Sequence, residues 1–295
     1  MELALAVDIG GTKLAAALVG ADGEMAARRT VPTPPGTEAE FLFARVAEVV
    51  DAVVAEGGGV GAEVAVCGVG CGGPMTPGGG AVSPLNIPAW RGFPLRPRLA
   101  AHTGLPTFVD NDAKALALGE GWRGAAAGVR DYVGMVVSTG VGGGIVLDGR
   151  LLDGAGGNAG HVGHVIVVPD GRPCVCGARG CLEAEASGTA IAAITGRPAV
   201  DAEPDVVART GRLVGLAIGS VANLLDLRLA VVAGSVALGF GAPFFAAARA
   251  ELDAVARLEF SRGAVVRPAG LGDRGPLVGA AAVGWRGVGR HVGIG

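Results

Sequence analysis

One pattern occurs twice along this chain, and the repetition constrains the fold more than any other feature. The first copy is an apolar run over 3–7, a glycine-containing segment over 8–13 and a second apolar run over 14–19. The second copy is an apolar run over 132–137, a glycine-rich segment over 138–144 and an apolar run over 145–147. Short apolar runs joined by glycine-rich segments predict β-hairpins. Two related hairpins predict two related lobes.

The segments around these hairpins alternate between strand and helix patterns. Leu42, Val46, Val49 and Val53 recur at helical spacing, and this predicted helix ends at the run Gly57-Gly58-Gly59. Strands are predicted over 64–69 and 107–109, and a helix over 113–121. The stretch 70–97 is rich in Pro and Gly and is interpreted as an ordered surface excursion. The alternation predicts an α/β fold with largely parallel central sheets and antiparallel edges at the hairpins.

The run 229–248 carries no charge and has about the length of a membrane span. Gly234, Ser235, Gly239, Gly241 and Pro243 interrupt it. A buried strand, a glycine turn and the start of a helix fit this run better than a membrane span.

Composition limits the classes of function. The chain has 295 residues, is half hydrophobic and carries a net charge of -3, which argues against nucleic acid or a membrane surface as a partner held by charge. Its amino terminus lacks the pattern of a secretory signal, and Cys67 and Cys71 form no disulfide framework with the other cysteines. We therefore expect a cytoplasmic protein with reduced thiols.

Both glycine-rich segments are candidate phosphate sites. Glycine lets backbone N–H groups approach an anion without interference from a Cβ atom. Each segment alone is more typical of a tight turn, but the duplication favours two phosphate sites on two lobes. Asp8 at the end of its strand is a candidate for holding magnesium through water, and Thr12 for bonding phosphate. Lys13 is also interpreted as a surface residue.

Four soft metal ligands occur within one short segment. They are His164, Cys174, Cys176 and Cys181. Thiolate and imidazole ligands at this spacing predict a closed tetrahedral zinc site, which leaves no position open for a reacting water. The alternative is three buried thiols and a surface histidine. Glu183, two residues after the last ligand, would be held wherever the zinc loop points and is a candidate contact.

Asn111 and Asp112 follow a predicted strand and precede a predicted helix. Both residue types are favoured helix caps, so a purely structural role is one interpretation. The carboxylate of Asp112 is equally suited to act as general base toward a substrate hydroxyl.

These segments together resemble the ROK family of sugar kinases and repressors. The resemblance rests on the segments 8–13, 111–113 and 139–144 and on the Cys-x-Cys-Gly-x-x-Gly-Cys-x-Glu loop, and it runs from about Leu3 to Ala281. It implies a two-lobed α/β fold of the actin and hexokinase (ribonuclease H-like) type with an interlobe cleft. We expect lobes over 1–112 and 113–295, with the last helix returning to the first lobe. The first strand begins close to Met1, with no helix-turn-helix ahead of it, which argues against a DNA-binding role.

The resemblance also implies an activity and a set of site residues. The activity is transfer of the γ-phosphate of ATP, with magnesium, to a sugar hydroxyl, commonly O6 of a hexose. Asp112 resembles the catalytic base, and Asn111 the residue that holds O3 and O4. Glu183 resembles the acid that holds O1 and O2, and His164 the histidine that both binds zinc and touches the sugar. The remaining predicted sites are Gly73 for sugar and, for ATP and magnesium, Asp8, Gly10, Gly11, Thr12, Lys13, Thr139, Gly140, Gly142, Gly143, Gly234 and Ser235.

One departure from the family pattern concerns the sugar pocket. The motif Glu-x-Gly-His of the family is His161-Val162-Gly163-His164 here. In the family the glutamate accepts hydrogen bonds from O2 and O3 of the sugar, so an imidazole changes what is recognised at these carbons. The two interpretations are a side chain that has turned to solvent and a substrate altered at C2 or C3.

Kanosamine, which is glucose with an amine at C3, fits the second interpretation, and members of the family act on it. The resemblance thus predicts an ATP-dependent hexose or amino-hexose 6-kinase, with plain glucokinase as the alternative and fructose or N-acetylmannosamine kinase behind it. A rival of another class is a non-catalytic sugar-sensing protein. A homodimer is expected. Lys114, where the family often has asparagine, is interpreted as facing solvent.

Overall fold

A computed structural model describes residues 2–36, 38–57, 63–290 and 292. The described strands, in chain order, are β1 (Glu2–Ile9), β2 (Lys13–Gly20), β3 (Met25–Pro32), β4 (Glu63–Cys71), β5 (Thr107–Asn111), β6 (Tyr132–Val137), β7 (Val141–Leu147), β8 (Arg150–Leu151), β9 (Leu229–Ala233) and β10 (Val265–Pro268). The described α-helices are α1 (Ala39–Gly57), α2 (Leu95–Thr103), α3 (Asp112–Arg123), α4 (Leu182–Ala186), α5 (Gly188–Thr195), α6 (Pro204–Leu225), α7 (Ser235–Val255) and α8 (Gly275–Gly287).

The chain folds into two compact units. The first contains Met1–Ala127, Asp153–Ala159 and Asp273–Gly295, and the second contains Gly128–Leu152 and Gly160–Gly272. The boundary that the sequence predicts after Asp112 lies, in this division, inside the first unit at the start of α3. Helix α3 packs against α8, and α8 also packs against β4 and β1 of the same unit.

Each unit is built on a five-stranded sheet, and the two sheets have the same topology. The strand order is β3-β2-β1-β4-β5 in the first unit and β10-β9-β6-β7-β8 in the second. In both, the hairpin strands pair antiparallel and the later strands join in parallel. The predicted α/β fold and its repetition are confirmed.

The core of the first unit explains why its helices form. Helix α1 buries Leu42, Val46, Val49 and Val53, the four residues whose spacing predicts it. The predicted end of this helix extends to Gly58 and Gly59, which lie outside the described residues.

Part of the segment 70–97 lies in the hydrophobic core of the first unit. It places Val82, Ile87, Trp90 and Phe93 in the core of the first unit, and the rings of Trp90 and Phe93 stack with centroids 4.4 Å apart. The interpretation as a surface segment is therefore wrong for these apolar residues.

The uncharged run 229–248 forms β9, a turn at Gly234 and the first part of α7, as predicted. Among the described residues, no helix combines the length and the apolar character needed to cross a membrane.

Candidate functional site

The tip of the first hairpin is a tight turn held by its neighbours. The Gly10 N–H donates to the Lys13 carbonyl at 3.0 Å, and the Thr33 hydroxyl donates to the Gly10 carbonyl at 2.7 Å. A Cβ atom at Gly11 would lie 2.9 Å from the carbonyl oxygen of Asn86, so only glycine fits there. Sequence reasoning missed Thr33 and Asn86, because neither stands in a recognisable pattern.

Asp8 lies next to this tip, at the end of β1. Its side chain is buried, and burial, followed by the charge of Asp112, raises its pKa to about 7, against a lowering effect of Lys13. The strand register places Asp8 beside Gly70 of β4, and Gly70 beside Asp110 of β5. The carboxyl ends of three parallel strands therefore gather acidic groups at one edge of this sheet. Thr12 and Lys13 are exposed.

Asn111 and Asp112 both accept hydrogen bonds at the start of α3. The Asn111 side chain caps α3 and accepts from the N–H groups of Ala113 and Lys114 at 3.0 and 3.3 Å. The half-buried carboxylate of Asp112, the first residue of the helix, accepts from the Ala113 N–H at 2.8 Å. A Cβ atom at Gly73 would lie 3.4 Å from Nδ2 of Asn111. Gly73 and Asn111, both predicted sugar contacts, are therefore adjacent in the first unit.

Lys114 does not face solvent, and this interpretation of the sequence is wrong. Its side chain is 2% exposed, and its ammonium group lies 3.1 Å from Asp110 and 2.9 Å from Asp153. Burial raises the pKa of Asp110, and the charge of Lys114 opposes that effect. A buried cation needs such partners, and Asp153 is too distant in sequence for spacing to reveal it.

The tip of the second hairpin is shorter than the sequence predicts. Only the residues 138–140 form it, because β7 already begins at Val141, and Gly142 and Gly143 pair with Val136 and Met135 of β6. A Cβ atom at Gly143 would lie 2.7 Å from the Val162 side chain and 3.3 Å from a carbonyl oxygen in the next loop. This glycine therefore makes room for the loop that carries His161 and His164.

Polar side chains surround the short tip. The hydroxyls of Ser138 and Ser235 are 2.9 Å apart, and the Thr189 hydroxyl donates to the Thr139 carbonyl at 2.9 Å. Gly234 has a φ of 100°, which favours glycine at the turn into α7. Thr139, Gly234 and Ser235 were predicted, whereas Ser138 and Thr189 were missed.

The four predicted zinc ligands lie together in the second unit. Their ligand atoms are all within 4.8 Å of one another, with 3.7 Å between Cys174 Sγ and His164 Nδ1 and 3.7 Å between Cys176 Sγ and Cys181 Sγ. Sulfur atoms bound to one tetrahedral zinc at about 2.3 Å stand about 3.8 Å apart, so the donor set fits this ion. Burial and the neighbouring thiols raise the pKa of Cys181 to about 12, a shift that a bound cation would reverse.

Glu183 and His161 lie near this cluster, of which His164 is a member. The carboxylate of Glu183, on α4, accepts from the Val141 N–H at 2.9 Å, which fixes it beside the tip of the second hairpin. His161 is exposed, and its ring centroid lies 5.9 Å from that of His164. The second unit thus brings together the predicted residues His161, His164 and Glu183, while the first unit holds Asp8, Gly73, Asn111 and Asp112.

The repeated sheets and these residues define an α/β protein of the actin and hexokinase type. The sequence profile of the ROK family matches residues 4–285, and the chain belongs to this family. It is 39% identical over 252 residues to an N-acetylmannosamine kinase of Escherichia fergusonii, which covers 80% of this chain and 84% of that protein.

Two solved structures are similar over nearly the whole chain. One is the ROK hexokinase of Thermus thermophilus, with 32% identity, a TM-score of 0.81 and coverage of 97% of this chain and 99% of the other. The second is a ROK family glucokinase of Streptomyces griseus in complex with glucose and AMPPNP, with 32% identity, a TM-score of 0.81 and coverage of 96% and 99%.

Proposed function

We propose that the protein is a sugar kinase of the ROK type that transfers the γ-phosphoryl group of ATP to the 6-hydroxyl of a hexose. The observation that carries this proposal is the half-buried carboxylate of Asp112 at the β5–α3 junction, next to Asn111, in a chain that belongs to the ROK family. Asn111 already caps α3 by accepting from the N–H groups of Ala113 and Lys114, so the cap does not depend on Asp112.

In this reaction Asp112 takes the proton of the sugar hydroxyl as the phosphoryl group moves. Asn111, Gly73, Glu183 and His164 bind the other hydroxyls and orient the sugar, and orientation supplies much of the rate in phosphoryl transfer. The backbone of the glycine-containing tips holds the phosphates. Magnesium, held through water by Asp8, would supply neutralising charge for the phosphates. Gly142 and Gly143 act by shaping β7 rather than as tip residues.

We assign the Cys and His cluster to a structural zinc ion. A ligand set of three Cys and one His is closed, so the ion holds the loop between His164 and Cys181 and supplies no reacting water. The chain leaves this loop directly into α4, which carries Glu183. The zinc would therefore shape the sugar pocket indirectly, by fixing the position of α4 and of Glu183.

For the substrate, we propose a hexose that carries nitrogen at C2 or C3. The support is His161 in place of the acidic acceptor of the family, together with a relative named as an N-acetylmannosamine kinase. Kanosamine, with its amine at C3, and N-acetylmannosamine, with its amide at C2, are the two candidates. Glucose is the alternative, supported by the likeness to a glucokinase. The homodimer stays a prediction.

The test is an ADP-release assay of the purified protein with glucose, kanosamine, N-acetylmannosamine and fructose. We expect turnover of at least one of the nitrogen-bearing sugars with kcat/KM above that of glucose by about tenfold or more. The variant His161→Glu should reverse this preference, and His102→Gln, on an exposed part of α2, serves as its control. A preference for glucose that His161→Glu leaves unchanged would reject the proposed specificity. A wild-type protein that releases no ADP with any sugar would support the sugar-sensing alternative.

A further inference from the structure

Lys114 is a buried cation at the helix that begins with Asp112. Its ammonium group has three acceptors: Asp110 Oδ1 at 3.1 Å, Asp153 Oδ1 at 2.9 Å and the Gly157 carbonyl oxygen at 3.2 Å. A lysine ammonium has three N–H donors, so these partners can use all of them. A buried charge tolerates little displacement from such partners, because each lost contact leaves a desolvated group unpaired.

The first partner fixes the junction that carries Asn111 and Asp112. Asp110 and Lys114 stand on either side of these two residues, at i and i+4. The Asp110 carboxylate also accepts from the Asn111 N–H at 2.8 Å. The ion pair therefore links the end of β5 to the first turn of α3 and restrains the candidate base Asp112 and its neighbour Asn111 between them.

The other two partners belong to a different part of the chain. Asp153 and Gly157 lie in the short segment 153–159, which belongs to the first unit although the chain before and after it belongs to the second. Arg286 of α8 contacts Asp153 at 3.4 Å. Asn158 makes two hydrogen bonds of 3.3 Å with the backbone of Met75. The segment is thus fixed at both ends, and the chain runs from it within two residues into His161.

We propose that Lys114 is a positioning residue for sugar recognition. It holds the Asn111–Asp112 junction through Asp110, and it holds the segment 153–159, and with it the start of the loop that carries His161, through Asp153 and Gly157. Its contribution to sugar binding rests on the proposed function. The restraint of the segment 153–159 by Lys114 does not depend on that function.

Two variants separate these contacts. Lys114→Met combined with Asp110→Asn removes the buried pair without leaving an unpaired carboxylate on β5, and the amide of residue 110 still accepts from the Asn111 N–H. Asp153→Asn leaves the pair of Lys114 with Asp110 intact and weakens the contacts of the segment with Lys114 and with Arg286; the Asp153 side chain is 52% exposed, so this variant is expected to fold. The matched control is Arg45→Met with Glu48→Gln, an exposed ion pair on α1.

The measurements are sugar and ATP affinity by calorimetry, steady-state kinetics, melting temperature and hydrogen exchange of the amides over 153–165. We expect Asp153→Asn to weaken sugar binding by about tenfold with little change in kcat, and the double variant to lower both sugar affinity and kcat by about tenfold to a hundredfold. ATP affinity and the control should stay within about twofold of wild type, and exchange over 153–159 should accelerate in both variants.

Wild-type sugar affinity together with wild-type exchange over 153–159 in Asp153→Asn and in a folded double variant would overturn the proposal. If the double variant does not fold, Asp153→Asn decides alone. If the wild-type protein turns over no sugar, the proposed function fails, and the exchange rates of the segment still decide whether Lys114 restrains it.

Discussion

At the scale of single residues, Asp8 couples the candidate phosphate site to folding stability. Its pKa is raised from 3.8 to about 7, chiefly by burial. The folded protein therefore binds a proton at Asp8 between these two pH values, whereas the unfolded chain does not. Stability attributable to this group is present below the unfolded pKa and declines as pH rises through about 7.

Asp8→Asn removes this dependence. We expect the variant to melt above wild type at about pH 8.5, with the difference shrinking toward about pH 5, because the wild-type carboxyl is then neutral in the folded state. The measurement is thermal unfolding in buffers without added magnesium. Asp205→Asn, on the exposed start of α6, is the control and should show a constant difference. A pH-independent difference for Asp8→Asn would contradict the assigned pKa.

Asp112→Asn tests the general base with little disturbance of structure, because an amide oxygen can still accept from the Ala113 N–H. General base catalysis typically contributes about 10²- to 10⁴-fold, and we expect kcat to fall by that factor while the sugar dissociation constant stays within a few fold. Steady-state kinetics and calorimetry measure the two effects. A near-normal kcat would show that Asp112 is not the general base and has only a structural role at the start of α3.

Sequence reasoning succeeds for residues whose partners stand nearby in the chain. The four candidate zinc ligands were predicted from spacing alone, and the structure brings all four together. It fails for Lys114, since one of its acidic partners comes 39 residues later and belongs to no motif. It also misses Thr33 and Asn86, whose contacts with the first tip exist only after the sheet and the excursion have formed.

At the scale of elements, the loop that carries the candidate zinc ligands is held by a buried glutamate and its arginine partner. Glu185 of α4 is 2% exposed; one carboxylate oxygen accepts from the Arg172 N–H at 2.7 Å and the other from Arg209 of α6 at 2.5 Å. Arg172 stands two residues before the first cysteine of the cluster. Glu185 therefore fixes the backbone just before the three cysteines, much as outer-shell groups orient metal ligands.

Glu185→Gln should weaken zinc affinity by about tenfold to a hundredfold, because a neutral side chain holds Arg209 and the loop less firmly. Competition with a chromogenic chelator measures the affinity directly and does not depend on enzyme activity. Glu203→Gln, which alters an exposed pair with Arg197, is the control. Equal zinc affinity in wild type and in Glu185→Gln would show that the negative charge of Glu185 does not stabilise the loop.

The elements themselves were predicted where pattern and packing agree. Helix α1 and both hairpins follow from their apolar spacing, because the same residues fill the cores. The sequence predicts a turn for the glycines after Gly140, yet they form strand β7. Gly143 is needed because another loop approaches it closely, not because the chain turns there. Spacing along the chain carries no information about such an approach.

At the scale of the whole molecule, glycines set how closely α8 approaches the rest of the first unit. A Cβ atom at Gly279 would lie 2.3 Å from the carbonyl oxygen of Ala115 in α3, and one at Gly68 would lie 2.0 Å from the carbonyl oxygen of Ala280. The atoms in these contacts belong to the backbone, which cannot shift to make room for a Cβ atom as a flexible side chain can.

Gly279→Ala should destabilise the protein by about 1–3 kcal/mol, because overpacking outweighs the better helix propensity of alanine. Gly239→Ala in α7 is the matched control: apart from its chain neighbours and the backbone of its own helix, no described atom lies within 4 Å of the added Cβ, and we expect a gain of up to about 1 kcal/mol. Chemical denaturation of both variants measures the difference. Stabilisation by both substitutions would mean that α3 and α8 are less tightly packed than described.

The order of the segments in the first unit has a consequence for synthesis on the ribosome. Strands β1 to β5 are translated early, but the helix that covers β1 and β4 comes from 275–287, after all of the second unit. The second unit is contained within 128–272 and can complete its sheet first. The face of β1 and β4 that α8 covers therefore stays exposed on the nascent chain until α8 itself has been translated, and such exposed apolar surface favours aggregation.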